Sequence, residues 1–253
     1  MAKIIKTGDD PLSFLKEFTS ARIAIGSTGD SIPTKQSLEF KLAHAHARDA
    51  VYTTMDSEAL ADELAKFNLP VLQLHSRAEN RAQYLQRPDM GRLPDEYSVN
   101  RLTDQITGDD VVFIIADGLS ALAIHQNVVL LLDLLIPKLL AAKLKVGPLC
   151  LVQQGRVAIG DPIGDALNAG LSIVLIGERP GLSAADSMGA YLTYNPKPGL
   201  KDNARNCISN IRLAGLSHAA AADKIFYLVK EAFRLKLSGV ELKDNEGLLG
   251  GYC

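Results

Sequence analysis

The sequence predicts an α/β protein, a Rossmann-like parallel sheet covered by helices, with a mostly helical N-terminal region before it. After residue 109, short β-branched runs alternate with helical stretches, and this alternation is typical of a parallel sheet with helices on both faces. Before residue 109 the spacing of apolar residues is mainly helical. With 253 residues, 47% of them hydrophobic, the chain can bury the core of such a domain.

We divide the chain into four parts: an N-terminal extension (1–20), the mostly helical region (21–105), the Rossmann-like domain (106–244) and a tail (245–253). In the extension, "PLSFLKEFT" spaces Leu12, Leu15 and Phe18 for one or two amphipathic turns, which are too short to be stable alone. The glycines of "NEGLLGGYC" predict a disordered tail, to which we assign no function.

The mostly helical region contains three predicted helices and one predicted strand. Thr34 is expected to cap a helix that runs to about Val51, and residues 57–67 form a second helix. "VLQLHS" has the composition of a strand, and "RAENRAQYLQ" is a third helix that Pro88 cannot extend.

The Rossmann-like domain begins with "DDVVFIIADGLSA", a β-branched run that passes from strand to helix. A helix over about 128–143 follows, and then strand "PLCLVQQG", helix "DPIGDALNAG", and strands "LSIVLIGERPG" and "MGAYLTYNP". The last helix is expected to begin after the N-cap Ser217 and to stop at Gly239.

Ligands of such sheets lie at the carboxyl ends of the strands, near a topological switch point. Three strand ends are therefore candidates for the site: Asp117, the turn at Gln154–Gly155, and Gly177–Glu178.

Composition excludes several classes of partner. The net charge is −2 and no long basic block occurs, so the sequence predicts neither a nucleic-acid partner nor a membrane-surface partner. The most apolar segment, "VVLLLDLLIPKLLAAKL", is interrupted by Asp133, Pro137 and Lys138, and the N-terminus lacks the apolar core of a signal peptide. We therefore expect a soluble cytoplasmic protein.

The cysteines and histidines form no metal-binding or catalytic pattern. Cys150, Cys207 and Cys253 are widely separated and lie in no CxxC motif. Cys207, in "RNCISN", is either a nucleophile or a small apolar side chain, and spacing does not decide between these roles. His44 and His46 point to different sides of one helix, and the other histidines are isolated. We predict no metal site and no catalytic triad.

The glycine-rich stretch "GRVAIGDPIGDALNAGLSIVLIGERPG", residues 155–181, fits neither common nucleotide-binding motif. Asp161 and Pro162 stand where a Walker A loop needs lysine and serine or threonine, and no GxGxxG begins at Gly155. The turn serves either helix–sheet packing or the close approach of a flat, bulky ligand. Glu178 either accepts hydrogen bonds from a ligand or forms an ion pair with Arg179 or another basic residue at the surface.

Four blocks of sequence, in this order, resemble the small (light) subunit of ethanolamine ammonia-lyase. They are "FKLAHAHARDAV" (40–51), "LVQQGRVAIGDPIG" (151–164), "LIGERPGLSAADSMGAYLTYNPKPG" (175–199) and "RNCISNIRLAGLSHAAAADKI" (205–225). The similarity covers about residues 21–244.

The resemblance implies an adenosylcobalamin-dependent lyase that converts ethanolamine to acetaldehyde and ammonia. In that family the small subunit assembles with a barrel-forming large subunit that carries the main catalytic residues, and cobalamin lies between the two. Three cofactor contacts carry over onto matching motifs: Val157 in QGRVAIG, Glu178 in GERPG and Cys207 in RNCISN. Val157 would offer backbone groups and apolar surface, Glu178 would accept from the corrin amides or the nucleotide tail, and Cys207 would pack without a nucleophilic role.

The implied mechanism is homolysis of the cobalt–carbon bond, hydrogen abstraction from the hydroxyl-bearing carbon, rearrangement and loss of ammonia. The chain has no DxHxxG motif, so we expect the cofactor to keep its own benzimidazole as lower ligand. Members of this family are commonly packaged in bacterial microcompartments, and we expect the N-terminal extension to target the shell.

Two alternatives stay open. The first is a self-contained Rossmann enzyme that binds a dinucleotide, with Glu178 on a ribose, although the missing GxGxxG counts against it. The second is a non-catalytic scaffold or shell protein in which "PLSFLKEFT" is the interaction helix.

Overall fold

A single six-stranded sheet, in the order β1-β3-β2-β4-β5-β6, organises the chain in a computed structural model that describes residues 12–19, 21–105 and 108–244. The strands are β1 (Val71–His75), β2 (Val111–Ala116), β3 (Val146–Gln153), β4 (Leu171–Gly177), β5 (Met188–Tyr194) and β6 (Asn206–Ile211). The first five confirm the predicted strands, whereas β6 was not predicted. The predicted tail and residues 1–11 and 20 of the extension lie outside the described residues.

Seven α-helices accompany the sheet in these described ranges. They are α1 (Thr34–Tyr52), α2 (Ser57–Leu64), α3 (Arg81–Gln86), α4 (Glu96–Thr103), α5 (Ala121–Ala141), α6 (Gly160–Ala166) and α7 (His218–Leu235). Four of them lie in the region predicted to be mostly helical, and so does β1, which pairs with β3 and thereby joins this region to the sheet.

The sheet is mixed, which corrects the prediction of a parallel sheet. Strands β1, β3, β2 and β4 are parallel, but β5 runs antiparallel to both β4 and β6. A parallel connection needs a crossover of about a dozen residues or more, usually a helix. No α-helix lies between β4 and β5 or between β5 and β6. The helix-connected, parallel part of the sheet therefore ends at β4.

Helices cover both faces of the parallel strands, as two separate apolar clusters demonstrate. On one face, Val111, Phe113 and Ile115 of β2 pack in a cluster with α5, α7 and α2. On the other face, Val112 and Ile114 pack in a second cluster with α4 and α6. All residues of β2 are buried, which is typical of a central parallel strand covered on both faces.

Helix α5 is the one helix, among the described residues, that is long and apolar enough to cross a membrane. Ten of its residues are buried, and it packs against the sheet and against α7. Its apolar composition is therefore accounted for by its place in the core. Pro137 lies within its last turns without ending it, so the helix continues to Ala141.

Two helix ends and one helix cap differ from prediction. Helix α5 begins at Ala121, not near residue 128, because Ser120 caps it: Ser120 Oγ accepts from the Ala123 N–H at 3.2 Å. Helix α7 has the predicted N-cap Ser217 but ends at Leu235, where Lys236 adopts a left-handed conformation. Helix α1 starts at the predicted position, yet Pro33 occupies the cap position and no side chain caps the helix.

Helix α1 is the least buried long element of the fold. Of its 19 residues only Ala50 is buried. Leu38, Phe40, Leu42 and Tyr52 are between 46% and 59% exposed. In the extension, the predicted amphipathic turns take the form of a 3-10 turn over Ser13–Glu17 that has no buried residue.

Candidate functional site

The carboxyl ends of β2, β3 and β4 lie side by side and are tied together by hydrogen bonds. Asp117, after β2, accepts from the backbone N–H groups of Gln154 (3.0 Å) and Gly155 (3.2 Å), after β3. The Leu119 N–H donates to the carbonyl of Gly177, at the end of β4, at 2.9 Å. Strand β2 leads into α5 on one face and β3 into α6 on the other, so this edge is a topological switch point.

Asp117 holds this edge together and does not face a ligand. Its side chain is 4% exposed, and Arg81 Nη1 lies 3.9 Å from its Oδ2. Burial raises the pKa of the carboxyl, while the backbone hydrogen bonds and Arg81 act in the opposite direction. Both carboxylate oxygens are used by the turn after β3, so of the three predicted strand ends this one is structural.

Two adjoining cavities open over the other two strand ends. The Glu178 cavity, about 430 Å³, is lined by residues that include Gly118, Arg156, Val157, Glu178 and Tyr191. The Cys207 cavity, about 330 Å³, is lined by residues that include Arg92, Arg156, Val157, Tyr191 and Cys207. Because Arg156, Val157 and Tyr191 line both, we treat the two cavities as one continuous groove. The groove thus brings together Val157, Glu178 and Cys207.

Glu178 is held in place by neutral groups, not by a cation. The Ser187 hydroxyl donates to Glu178 Oε2, and the Asn210 N–H donates to the same oxygen at 3.2 Å. The Glu178 N–H donates to the Ser187 carbonyl at 2.9 Å. Glu178 forms no ion pair with Arg179 or another cation among the described residues. Both recorded hydrogen bonds of its carboxylate use Oε2, so Oε1 can accept from a donor on a ligand in the cavity that Glu178 lines.

Val157 and Cys207 approach the groove from different elements. Val157 begins the 3-10 turn Val157–Ile159 after β3, and it is partly buried at the junction of the two cavities. Cys207 lies on β6 directly opposite Tyr191 of β5. Cys207 is an exposed residue, yet the partial burial of its sulfur raises the pKa of the thiol. A raised thiol pKa does not suit a nucleophile, which needs the thiolate.

Tyr191 forms the floor shared by both cavities. Burial is the main cause that raises the pKa of its phenol, and a hydrogen bond with Cys207 and the charge of Glu178 add to the shift. Tyr191 therefore stays protonated and can donate a hydrogen bond at neutral pH.

A buried tyrosine, Tyr84, contacts two arginines and lines the Glu178 cavity of the groove. The Arg81 and Arg156 guanidinium carbons lie 4.7 Å and 4.1 Å from the ring centre of Tyr84. Arg81 also bridges distant elements, because its Nε donates to the Val51 carbonyl at 2.6 Å and its Nη1 to the Gly118 carbonyl at 2.8 Å. Burial raises the pKa of Tyr84 to about 12.

The glycine-rich turn packs tightly, and its acidic residue is not a phosphate ligand. A Cβ on Gly160 would lie 2.4 Å from Val174 Cγ2, so this glycine allows α6 to approach β4. Asp161 forms a two-point ion pair with Arg205, with N–O distances of 2.6 Å and 2.9 Å, and both side chains are at most 3% exposed. Helix–sheet packing is therefore one use of the turn, and the adjacent Val157 faces the groove.

The sequence of the chain matches a known protein family. The profile of the family "Ethanolamine ammonia-lyase light chain (EutC)" matches residues 9–243. The chain belongs to the ethanolamine ammonia-lyase light-chain family. Proteins named ethanolamine ammonia-lyase small subunit are similar over most of the chain. Those of Pseudomonas aeruginosa (strain LESB58) and Pseudomonas putida (strain GB-1) are each 49% identical over 243 residues, spanning 94% of this chain and 89% of the relative. That of Pseudomonas fluorescens (strain Pf0-1) is 50% identical over 240 residues, spanning 93% and 88%.

The light-chain match reaches further toward the N-terminus than the four blocks of sequence did. It begins at residue 9, so most of the segment assigned to the extension belongs to the sequence that ethanolamine ammonia-lyase light chains share. Val157, Glu178 and Cys207 all lie within the matched range. In the part of the chain that is described, no cluster of three or more His, Cys, Asp or Glu side chains could hold a metal ion.

Several groove residues were not predicted from the sequence, because contacts between distant parts of the chain bring them to the groove. Tyr84 and Arg81 come from α3, about 70 residues before the turn that they support. On β5 the apolar Met188, Ala190 and Leu192 pack in the main core cluster, and because successive strand side chains point to opposite faces, their spacing could have marked Tyr191 as facing away from it. Arg205 lies in the "RNCISN" block, but the sequence did not predict its ion pair with Asp161.

Proposed function

We propose that this chain is the small subunit of an adenosylcobalamin-dependent ethanolamine ammonia-lyase, and that its groove covers part of the cofactor at the interface with a large subunit. The observation that carries the proposal is the convergence of Val157, Glu178 and Cys207, from three separate segments, on one groove at a topological switch point. Ethanolamine would be the substrate of the complex, and the main catalytic residues would belong to the large subunit.

The groove suits the chemistry of the corrin ring. Cobalamin is a flat, bulky molecule whose edge carries amide groups, and Glu178 Oε1 is a free acceptor among the described residues for such an amide. Val157 and the Tyr191 ring offer apolar surface between the two cavities. Either cavity is smaller than the cofactor, which supports a cofactor that is only partly enclosed and is covered from the other side by a partner.

The residues of this chain would bind and orient. When bound, adenosylcobalamin supplies the radical chemistry that carbon–nitrogen cleavage requires. Glu178 would fix the ring by accepting an amide hydrogen bond, and the protonated Tyr191 would donate one. Cys207, with its raised thiol pKa, would pack against the ligand as a neutral group.

We further propose that the cofactor keeps its own benzimidazole as lower ligand. None of the five histidines, all of which lie in the described residues, lines either cavity of the groove. His75, His125 and His218 instead contact protein groups, respectively the Ser76 carbonyl, the Asp56 N–H and the Asn127 amide. A bound-state spectrum of isotope-labelled protein that showed histidine nitrogen on cobalt would contradict this.

Helix α1 is the surface that we propose for the large subunit. The name small subunit, borne by the relatives, requires a larger partner. Exposed apolar residues on a helix of 19 residues favour such a contact, because helices draw most of their stability from packing. The helix is also continuous with the groove: its Val51 carbonyl is bound by Arg81, and Arg22, just before it, donates to the Leu182 carbonyl in the loop after Glu178.

The central experiment is co-expression with a candidate large subunit, followed by an assay of ammonia release with and without adenosylcobalamin. Ammonia that depends on the cofactor supports the proposal, and its absence from an assembled complex contradicts it. Tight nicotinamide dinucleotide binding by the isolated chain would favour the self-contained Rossmann enzyme instead. Assembly without any cofactor-dependent activity would favour the scaffold.

Glu178 can be tested separately from assembly. Glu178→Ala should weaken cobalamin retention by about tenfold or more, because a hydrogen bond to a charged group is lost. Glu178→Gln keeps one acceptor oxygen and should retain part of the affinity. Glu241→Ala serves as control, because Glu241 is an exposed residue of the 3-10 turn after α7. Retention that is unchanged in Glu178→Ala would mean that the contact is wrongly assigned.

The α1 interface calls for its own variants. Replacing Leu38 and Leu42, which are 59% and 57% exposed, by aspartate should abolish co-purification with the large subunit. Leu140→Asp is the matched control, because Leu140 is 54% exposed at the opposite end of α5, away from the groove. Co-purification that survives the α1 changes would place the interface elsewhere.

We propose a cytoplasmic location inside a bacterial microcompartment, with the segment around the 3-10 turn Ser13–Glu17 as the targeting element. Phe14 and Phe18 are 56% and 80% exposed there, and exposed apolar side chains favour contact with a shell protein. Deletion of residues 1–20 should abolish encapsulation and leave assembly with the large subunit intact. Encapsulation that persists after the deletion would reject the assignment.

A further inference from the structure

The lining of the Cys207 cavity carries an excess of positive charge, from three arginines and one aspartate. Arg92 and Arg156 both line it, and neither takes part in an ion pair among the described residues. Arg205, a third arginine on the lining, is already paired with the buried Asp161. Asp202 is the one carboxylate there, and its Oδ1 lies 3.4 Å from Arg205 Nε. The cavity is therefore suited to an anionic group.

Arg156 is held rigidly although it lacks an anionic partner. Its guanidinium stacks on the Tyr84 ring, and its Nη2 donates to the Tyr84 carbonyl at 2.9 Å. Its backbone N–H donates to the Gly91 carbonyl at 2.7 Å, and a Cβ on Gly91 would lie 2.7 Å from Arg156 Cγ, so Gly91 makes room for the side chain. The Nε–H is buried without an acceptor. A planar guanidinium fixed in this way matches the oxygens of a phosphate.

We propose that Arg156, assisted by Arg92, binds the phosphodiester of the cobalamin nucleotide tail. This inference rests on the proposed function and assigns one part of the cofactor to one end of the groove. Cobalamin carries many neutral amides but a single phosphodiester, which is anionic at neutral pH. Glu178 accepts from amides and repels a phosphate, whereas Arg156 attracts it. The opposite charges at the two ends of the groove would therefore fix the direction in which the cofactor lies.

The test compares two ligands that differ in the phosphate. Adenosylcobinamide has the corrin ring and its amides but lacks the phosphodiester and the nucleotide. In the purified complex with the large subunit, Arg156→Met should weaken adenosylcobalamin binding by about tenfold to hundredfold, the loss expected for a hydrogen bond to a charged group. Adenosylcobinamide binding should change by less than about twofold. Arg156→Lys keeps the charge and should restore part of the lost affinity.

Arg92→Met covers the case in which Arg156→Met does not fold, because Arg92 is exposed and makes no side-chain hydrogen bond among the described residues. It should give a smaller loss with the same preference between ligands, and Arg234→Met, on the far helix α7, should give none. Equal losses for both ligands would overturn the phosphate assignment alone. A wild-type complex that binds no adenosylcobalamin would overturn the assignment together with the proposed function.

Discussion

At the scale of single residues, the ion pair between Asp161 and Arg205 joins α6 to the segment before β6 beneath the Cys207 cavity. Both side chains are buried, and Arg205 also donates to the Leu200 carbonyl and to Thr193 Oγ1. Removal of one partner from such a pair leaves an uncompensated buried charge. The pair is therefore a structural support for the groove, and its loss affects the whole fold.

We predict that Arg205→Met lowers the free energy of unfolding by about 3–5 kcal/mol, as measured by urea denaturation, because Asp161 loses its partner. The double variant Asp161→Asn with Arg205→Met should be more stable than Arg205→Met alone. Arg234→Met breaks an exposed ion pair with Glu231 and should leave the urea midpoint unchanged. Equal effects at Arg205 and Arg234 would contradict a buried structural role.

His218 links stability to pH. Its Nε2 donates to Asn127 Oδ1 at 2.9 Å, and burial lowers the pKa of the imidazole below its ordinary 6.5. Between the folded pKa and about 6.5 the unfolded chain binds more protons, so this contribution to stability is present above 6.5 and is lost as the pH falls. The urea midpoint should fall between pH 8 and pH 5.5, and His218→Gln should show a smaller fall. An identical pH profile in the variant would exclude His218 as the cause.

At the scale of elements, the ends of β2 and β4 come so close that only glycine fits between them. A Cβ on Gly177 would lie 2.0 Å from the Ser120 carbonyl oxygen and 2.6 Å from that of Asp117. Both contacts are to backbone atoms, which cannot move aside as a flexible side chain can. The strand end that precedes Glu178 is therefore locked against the start of α5.

We predict that Gly177→Ala destabilises the protein by at least about 2 kcal/mol and weakens the hold on any ligand at Glu178, because the strand ends must separate. Thermal unfolding and ligand retention would measure the two effects. Gly181→Ala is the matched control four residues further on, where the nearest atom to a new Cβ is 3.9 Å away. Similar melting temperatures for the two variants would show that the close approach is relieved without cost.

The elements that sequence patterns predicted well are those whose burial is uniform or strictly periodic. Strands β2, β3 and β4 are apolar runs between turn residues, and they appear where expected. Strand β6 was missed because "NCISNI" alternates irregularly and has two buried residues only. The direction of β5 depends on the helix-free loop before it. The start of α5 was not predicted because Asn127 is polar, although it is buried and donates to the Ala123 and Asp186 carbonyls.

The functional site, like the secondary structure, could be predicted only in part from the sequence. Glycine and acidic signals located the strand ends, and the family resemblance selected Val157, Glu178 and Cys207 among their neighbours. Which of these share a cavity, and which arginines line it, depends on contacts between residues up to about 70 positions apart in the chain. Spacing along the sequence holds no information about such contacts.

At the scale of the whole molecule, the exposed helix α1 contrasts with the buried centre of the sheet. A helix that buries one residue of 19 and exposes several large apolar side chains favours association with another protein surface. In the sheet, in contrast, all residues of β2 and β4 and all but one of β3 are buried. The centre of the sheet is therefore fully packed, whereas α1 leaves apolar side chains exposed on one surface.

We predict that the isolated chain self-associates in a concentration-dependent manner, as seen by sedimentation velocity, because α1 exposes apolar side chains. The variant with aspartate at Leu38 and Leu42 should sediment as a monomer over the same range. Leu140→Asp should behave like the wild type. A monomeric wild-type chain would mean that the exposed side chains of α1 do not drive self-association.

The position of Cys207 makes the groove open to chemical footprinting. Cys207 is an exposed residue on the lining of the groove, whereas Cys150 is fully buried with a pKa raised to about 12. In a Cys253→Ser background, an alkylating reagent should therefore modify Cys207 alone, and fastest above neutral pH, where the thiol ionises. A ligand lying in the groove would shield the sulfur. The rate of alkylation would then report occupancy directly, without any catalytic turnover, and would do so in the small subunit before a partner is added.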